Sequence, residues 1–261
     1  MTAPQIIKDE ELECALQDRV FLVTGCSSGV VFLTVRDQEK GKSVCESFLD
    51  PSRVELLEFG SSMLDFSSKL NVLVCNAGAV QIPGREETTE GFEMQLVNNY
   101  SGHFLLFWLL NDAMLESTNA ARHASETVFD DFHLKQDKMA QIYMANYVNR
   151  NFGSDRIRTL SLTTDDIDIK VLKYSPVGVR DGWGTNPMIW IRMENPEKCA
   201  ATTVLAAVGK EWEGKGGKYL DNCGIAASQL LVPVMDVKDY AYDETNEEKL
   251  WELILKTLGL S

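Results

Sequence analysis

Bases are the scarce charge in this sequence: 25 lysines and arginines stand against 39 acids over 261 residues, a formal net charge of −14. A surface of that sign repels nucleic-acid phosphates and anionic lipid, which argues against both as partners. Long apolar runs are missing as well. The longest, around 104–110, is well under the roughly 18 residues that a membrane helix needs. The amino-terminal stretch has no apolar signal core, so residues 1–17 read as a loose, polar leader to a cytoplasmic chain. The six cysteines include no CxxC pair, and the three histidines (His103, His123, His133) share no ligand spacing with them. No metal site is expected from such a pattern.

What remains is 44% hydrophobic and 9% aromatic, enough for a sizeable core in one domain spanning 1–261. Short β-rich runs occur at 19–24 (RVFLVT), 30–35 (VVFLTV), 54–58 (VELLE), 71–75 (NVLVC) and 158–162. Helical apolar spacing runs through 89–110, 138–152, 199–208 and 244–258, and Asn195-Pro196 is a helix-start signal for the third of these. Strands alternating with helices predict an α/β fold, a mostly parallel sheet with helices on its faces.

The first chemical signal is Thr24-Gly25-Cys26-Ser27-Ser28-Gly29. A Gly-rich turn after a first strand lets backbone N–H groups approach a pyrophosphate, provided a helix starts there. Only five residues separate Thr24 from Val30, whereas a parallel crossover usually takes a dozen or more. The spacing therefore predicts an antiparallel hairpin, with the first crossover helix and its phosphate-binding end missing.

Further along stand Asn76-Ala77-Gly78 after NVLVC, the run TEGFE to NYSGHFLL with Asn99 in it, and Lys138-Met-Ala-Gln-Ile-Tyr-Met-Ala-Asn. Together with the tail around Gly216-Gly217-Lys218-Tyr219-Leu220, these resemble the short-chain dehydrogenase/reductase family, and within it the retinol-dehydrogenase-like subgroup with fungal members. The resemblance runs from about residue 18 to 258. It implies a Rossmann-like three-layer fold and NADP(H)-dependent interconversion of an alcohol and a carbonyl on a small apolar substrate. Thr24, Gly25, Ser27, Ser28, Gly29, Asn76, Ala77 and Gly78 would hold the NADP. Arg36 would meet its 2′-phosphate, and Lys138 and Asn99 would be catalytic. Homodimers are common in such a family.

The family's proton chemistry uses a tyrosine four residues before the lysine and a serine at the end of the preceding strand. Leu134 occupies the first position, and 111–125 offers no β-branched run to make a serine strand. Asp165-Asp166 replaces a Pro-Gly turn, bringing negative charge toward a phosphate site. The sequence thus predicts an incomplete fold without its serine strand. Two functions are compatible with it: an impaired oxidoreductase, or a catalytically dead pseudoenzyme or non-redox binding protein or isomerase on the same fold.

Overall fold

A computed structural model describes residues 1–12, 16, 19–24, 32–35, 55–58, 69–78, 87–88, 92–120, 125–131, 135–155, 157–163, 195–226 and 239–260. Helix α1 (Ala3–Asp9) precedes strands β1 (Phe21–Thr24), β2 (Phe32–Val35), β3 (Glu55–Glu58) and β4 (Val72–Cys75). A single helical turn (Met94–Leu96) leads through a π-helical turn (Val97–Ser101) into α2 (Gly102–Ala120). There follow β5 (Ser125–Asp131), α3 (Lys135–Phe152), β6 (Ile157–Thr163), α4 (Pro196–Val208), β7 (Lys218–Asp221), β8 (Gly224–Ile225) and α5 (Glu244–Thr257).

The eight strands form one sheet in the order β3-β2-β1-β4-β5-β6-β7-β8. Every pairing is parallel except β7 with β8. The architecture is therefore α/β and Rossmann-like. The order reverses between β1 and β4: the chain builds outward to β3, then returns to the other side of β1.

Burial explains the layers. Alternate residues of a strand face opposite ways. In β4, Leu73 and Cys75 enter a core with Phe104, Phe107 and Met114 of α2, Met144 of α3 and Trp251 of α5. Val72 and Val74 enter a second core with Ile6 of α1 and Leu205 of α4. A strand covered on both faces needs apolar residues at every position, which is what VLVC supplies. Helix starts are built locally. The Asn195 side chain accepts from Lys198 N at 2.9 Å with Pro196 in the first turn, and Asp243 accepts from Asn246 N at 3.2 Å.

Three expectations are corrected. First, β1 and β2 are not an antiparallel hairpin; they pair in parallel, with Val23 opposite Leu33 and Thr24 opposite Thr34. Both strands are four residues long. Phe32 lies two residues below the Thr24 level in that register. Second, the serine strand is not missing as a strand: β5 pairs with β4 and β6 on either side. A central strand is held by backbone bonds to both neighbours, and Thr127-Val128-Phe129 is β-rich enough to join them. Third, the amino terminus is not loose throughout. Thr2 caps α1, and Ile6 is 1% exposed against α4. The Asp165-Asp166 pair lies outside the described residues.

Candidate functional site

The carboxyl ends of β1 and β4 meet where the strand order reverses, the place where open α/β sheets form a ligand crevice. Thr24, the last residue of β1, is 3% exposed. Its Oγ1 accepts from the backbone N–H of Asn76 at 3.0 Å and of Ala77 at 2.8 Å. The Asn76 side-chain amide donates to the Thr24 carbonyl at 3.0 Å. One threonine thereby fixes the turn that leaves β4. Gly78, at the end of that turn, is exposed. A β-carbon placed on it would lie 3.6 Å from Oδ1 of Asn99. The cluster thus runs from the buried end of β1 outward to solvent at Gly78.

Asn99 sits in the π-helical turn at the head of α2 and is 5% exposed. Its carbonyl accepts from the Gln141 side chain of α3 at 2.6 Å and lies 3.1 Å from Nδ1 of His103. His103 Nε2 is in turn 3.0 Å from Thr24 Oγ1. Burial pushes the His103 imidazole down to about 4, partly opposed by the bond to the Asn99 carbonyl. Burial also drives the Tyr100 phenol and the Cys75 thiol well above their ordinary values, so neither is a proton donor or nucleophile at neutral pH.

Of the residues singled out in the sequence, Thr24, Asn76, Ala77, Gly78 and Asn99 come together here. Gly25, Ser27, Ser28, Gly29 and Arg36 lie outside the described residues. Lys138 belongs to the first turn of α3, one helical turn before Gln141. On β5, Phe129 is level with Cys75, the last residue of β4, and Asp130 and Asp131 continue past it. The positions of β5 at the crevice edge are therefore phenylalanine and two aspartates. Ser125 is at the opposite end of the strand, level with Ile157.

In the sequence His103 is only one of three histidines without metal-ligand spacing, and Gln141 carries no motif. The signal for His103 was its spacing: four residues after Asn99, one turn on, as a lone polar ring in an apolar helix. A separate recess of about 750 Å³ lies near the amino ends of β6 and β7, lined in part by Asn149, Arg158, Trp212, Lys215 and Lys218. It is at the other edge of the sheet and shares no residue with the cluster. Among the described residues no helix is long and apolar enough to cross a membrane.

No family profile matches the chain. Individual proteins do. "Short-chain dehydrogenase/reductase prx1" of Penicillium roqueforti is 36% identical over 312 residues, covering 100% of this chain and 91% of that protein. Those 312 aligned positions exceed the 261 residues present, so the relative carries segments that this chain lacks. Human "Retinol dehydrogenase 11" is 24% identical over 94% of this chain and 87% of its own. Among solved structures, the Pseudomonas aeruginosa RhlG/NADP active-site complex superposes with a TM-score of 0.58 at 17% identity, covering 78% of this chain and 94% of that one.

Proposed function

The chain belongs to the short-chain dehydrogenase/reductase family, and from that membership we propose that it binds NADP(H) at the crevice between β1 and β4 as an alcohol–carbonyl oxidoreductase whose proton-transfer step is impaired. The observation that carries this reading is the cluster of Thr24, Asn76, Ala77, Gly78 and Asn99 at the point where the strand order reverses. Such a crevice takes a dinucleotide in open α/β sheets, and the exposed Gly78 leaves backbone free to be approached closely.

The residues fit that cofactor at the adenosine side. Thr24 holds the 76–78 turn, and Arg36, next in sequence after β2, would be the base for a 2′-phosphate. NADP, when bound, supplies hydride acceptance or donation. The chain's own part is to bind, to exclude water and to move the hydroxyl proton, and there the fit stops. Leu134 stands four residues before Lys138. The crevice end of β5 is Phe129-Asp130-Asp131. Neither the tyrosine that would carry the proton nor the serine that would hold the substrate oxygen is in place. These same two positions favour, as a second reading, a pseudoenzyme that keeps the cofactor site without turnover. The substrate class that suits a retinol-dehydrogenase-like chain is a small apolar alcohol or aldehyde.

Calorimetric titration of the folded full chain with NADPH and NADH tests the reading. Saturable NADPH binding with a dissociation constant below about 1 mM, roughly 4 kcal/mol, is expected, weaker for NADH and reduced in Arg36→Ala. A chain that melts cooperatively yet takes up neither dinucleotide at that concentration sinks it.

A further inference from the structure

His103 is 3% exposed, yet both of its ring nitrogens are engaged. The direction of these bonds can be worked out from the Asn99 carbonyl. A carbonyl oxygen only accepts, so Nδ1 carries the ring proton and donates to it at 3.1 Å. In a neutral ring Nε2 is then an acceptor, and the Thr24 hydroxyl, whose oxygen accepts from the backbone N–H groups of Asn76 and Ala77, donates to it at 3.0 Å. The other tautomer would set a bare Nδ1 lone pair against a carbonyl oxygen. Burial disfavours a doubly protonated ring, in keeping with an imidazole held down to about 4.

The bonds thus run one way: turn amides to Thr24, Thr24 to His103, His103 to the Asn99 carbonyl. Gln141 Nε2 closes the chain by donating to the same carbonyl at 2.6 Å. Four separate pieces are tied by it: the end of β1, the turn after β4, the π-helical turn and α3. The links through His103 and Gln141 are buried and those from the turn amides part-buried; in the buried links a broken hydrogen bond leaves its partner unpaired and costs more than the bond itself contributes.

We infer that His103 is a positioning residue of the dinucleotide crevice, a neutral, Nδ1-protonated imidazole that fixes the 76–78 turn relative to Asn99. This rests on the dinucleotide reading above. It does not touch the cofactor; it acts through Thr24 on one side and Asn99 on the other.

Two measurements on the full chain decide it. Long-range proton–nitrogen NMR of the histidine rings, with His103 assigned by loss of its signals in His103→Gln, should show a protonated Nδ1 and an unprotonated Nε2. A proton on Nε2, or an average of the two tautomers, overturns the inference. The second measurement is NADPH affinity in His103→Leu and His103→Gln, each held below its own melting temperature. Leucine offers neither donor nor acceptor, whereas glutamine offers both. The leucine variant should bind about tenfold more weakly, equivalent to roughly 1.4 kcal/mol, and the glutamine variant should recover most of the loss. A residue that merely fills space would give the opposite order or no difference, since leucine packs as well. If His103→Leu does not fold, Thr24→Val against Thr24→Ser makes the same comparison, with serine retaining affinity. Equal affinity in wild type and His103→Leu overturns this inference alone. Wild-type protein that binds no dinucleotide overturns the proposed function and this role with it, while the tautomer still reports whether the bond chain exists.

Discussion

The amide of Asn149 on α3 lies against Gly216, just ahead of β7, so closely that a β-carbon at 216 would sit 1.9 Å from its Oδ1 and 3.2 Å from the backbone nitrogen of Thr159. The glycine is there because nothing larger fits between the end of α3 and the start of β6. Gly216→Ala should therefore destabilise the chain by about 1–3 kcal/mol, the usual cost of overpacking a filled site. The melting temperature should fall by several degrees. Part of the loss should return when Asn149→Ala is added, since the clash with Oδ1 goes away while that with Thr159 stays. Additive effects of the two substitutions would show that Asn149 is not the obstacle.

Trp251 ties α5 to the rest of the molecule. Its ring stacks on Tyr147 at 4.1 Å with 14° between planes and meets Phe104 edge-on at 4.7 Å. Four residues earlier on the same helix, Glu247 is 2% exposed and accepts from Asn146 at 3.0 Å while pairing with Arg150. Both anchors fall on one face of α5, where turns repeat. Trp251→Ala should cost about 3–5 kcal/mol, and Trp251→Phe clearly less. Urea denaturation of the two variants measures this. A loss under about 1 kcal/mol for alanine would mean that α5 is an appendage rather than part of the core.

Acid should destabilise the protein through His103. An unfolded histidine titrates near 6.5, and burial holds this one at about 4 in the folded chain. Above 6.5 both states are neutral and the contribution is complete. As pH falls from 6.5 toward 4 the unfolded state takes up a proton that the folded state refuses, so stability drops. Below 4 the loss levels off, at a total on the order of 3 kcal/mol. Carboxylates titrate over part of this range, so the measurement is the difference between wild type and His103→Gln in denaturation midpoint at pH 7.5 and at 4.5. A gap that stays constant between the two pH values contradicts the assignment.

The pieces of the fold that were legible in the sequence were those where one strand or helix announces itself. NVLVC, apolar at every position, marks a strand buried on both faces, and Asn195-Pro196 marks a helix start; both are where the sequence puts them. The parallel pairing of β1 and β2 was not legible, because a short loop is judged against strands of ordinary length and these have four residues each. Strand β5 was hidden for a different reason. Its place is set by the backbones of β4 and β6, which a reading of its own side chains does not contain. The same limit applies to the candidate site. Asn76, Ala77, Gly78 and Asn99 were visible as motifs. The link between them passes through His103 and Gln141, and a link across four elements becomes visible only once those elements are packed.

The final expectation concerns turnover. Moving a hydride to or from a carbonyl carbon requires that the oxygen gain or lose a proton, and a positioned acid–base group usually accelerates that by about 100- to 10,000-fold. Lysine is protonated near neutral pH and is not a ready base; its use beside a tyrosine is to lower the phenol's pKa. Here Leu134 stands where the phenol would be, and two tyrosines of the neighbouring helical segments are unsuited. Tyr100 is buried with its pKa driven up, and Tyr143 follows Lys138 by five residues on α3. The chain should therefore show no measurable NADP(H)-dependent turnover of retinoids, steroids or simple aldehydes, and Lys138→Ala should lose nothing further. Supplying the absent groups should reverse this. Leu134→Tyr places a phenol ahead of α3, and Phe129→Ser places a hydroxyl at the crevice end of β5, level with Cys75. The double variant should gain detectable turnover, and adding Lys138→Ala to it should then abolish the gain. Robust turnover by the unaltered chain that disappears in Lys138→Ala would mean that the proton travels by a route other than position 134.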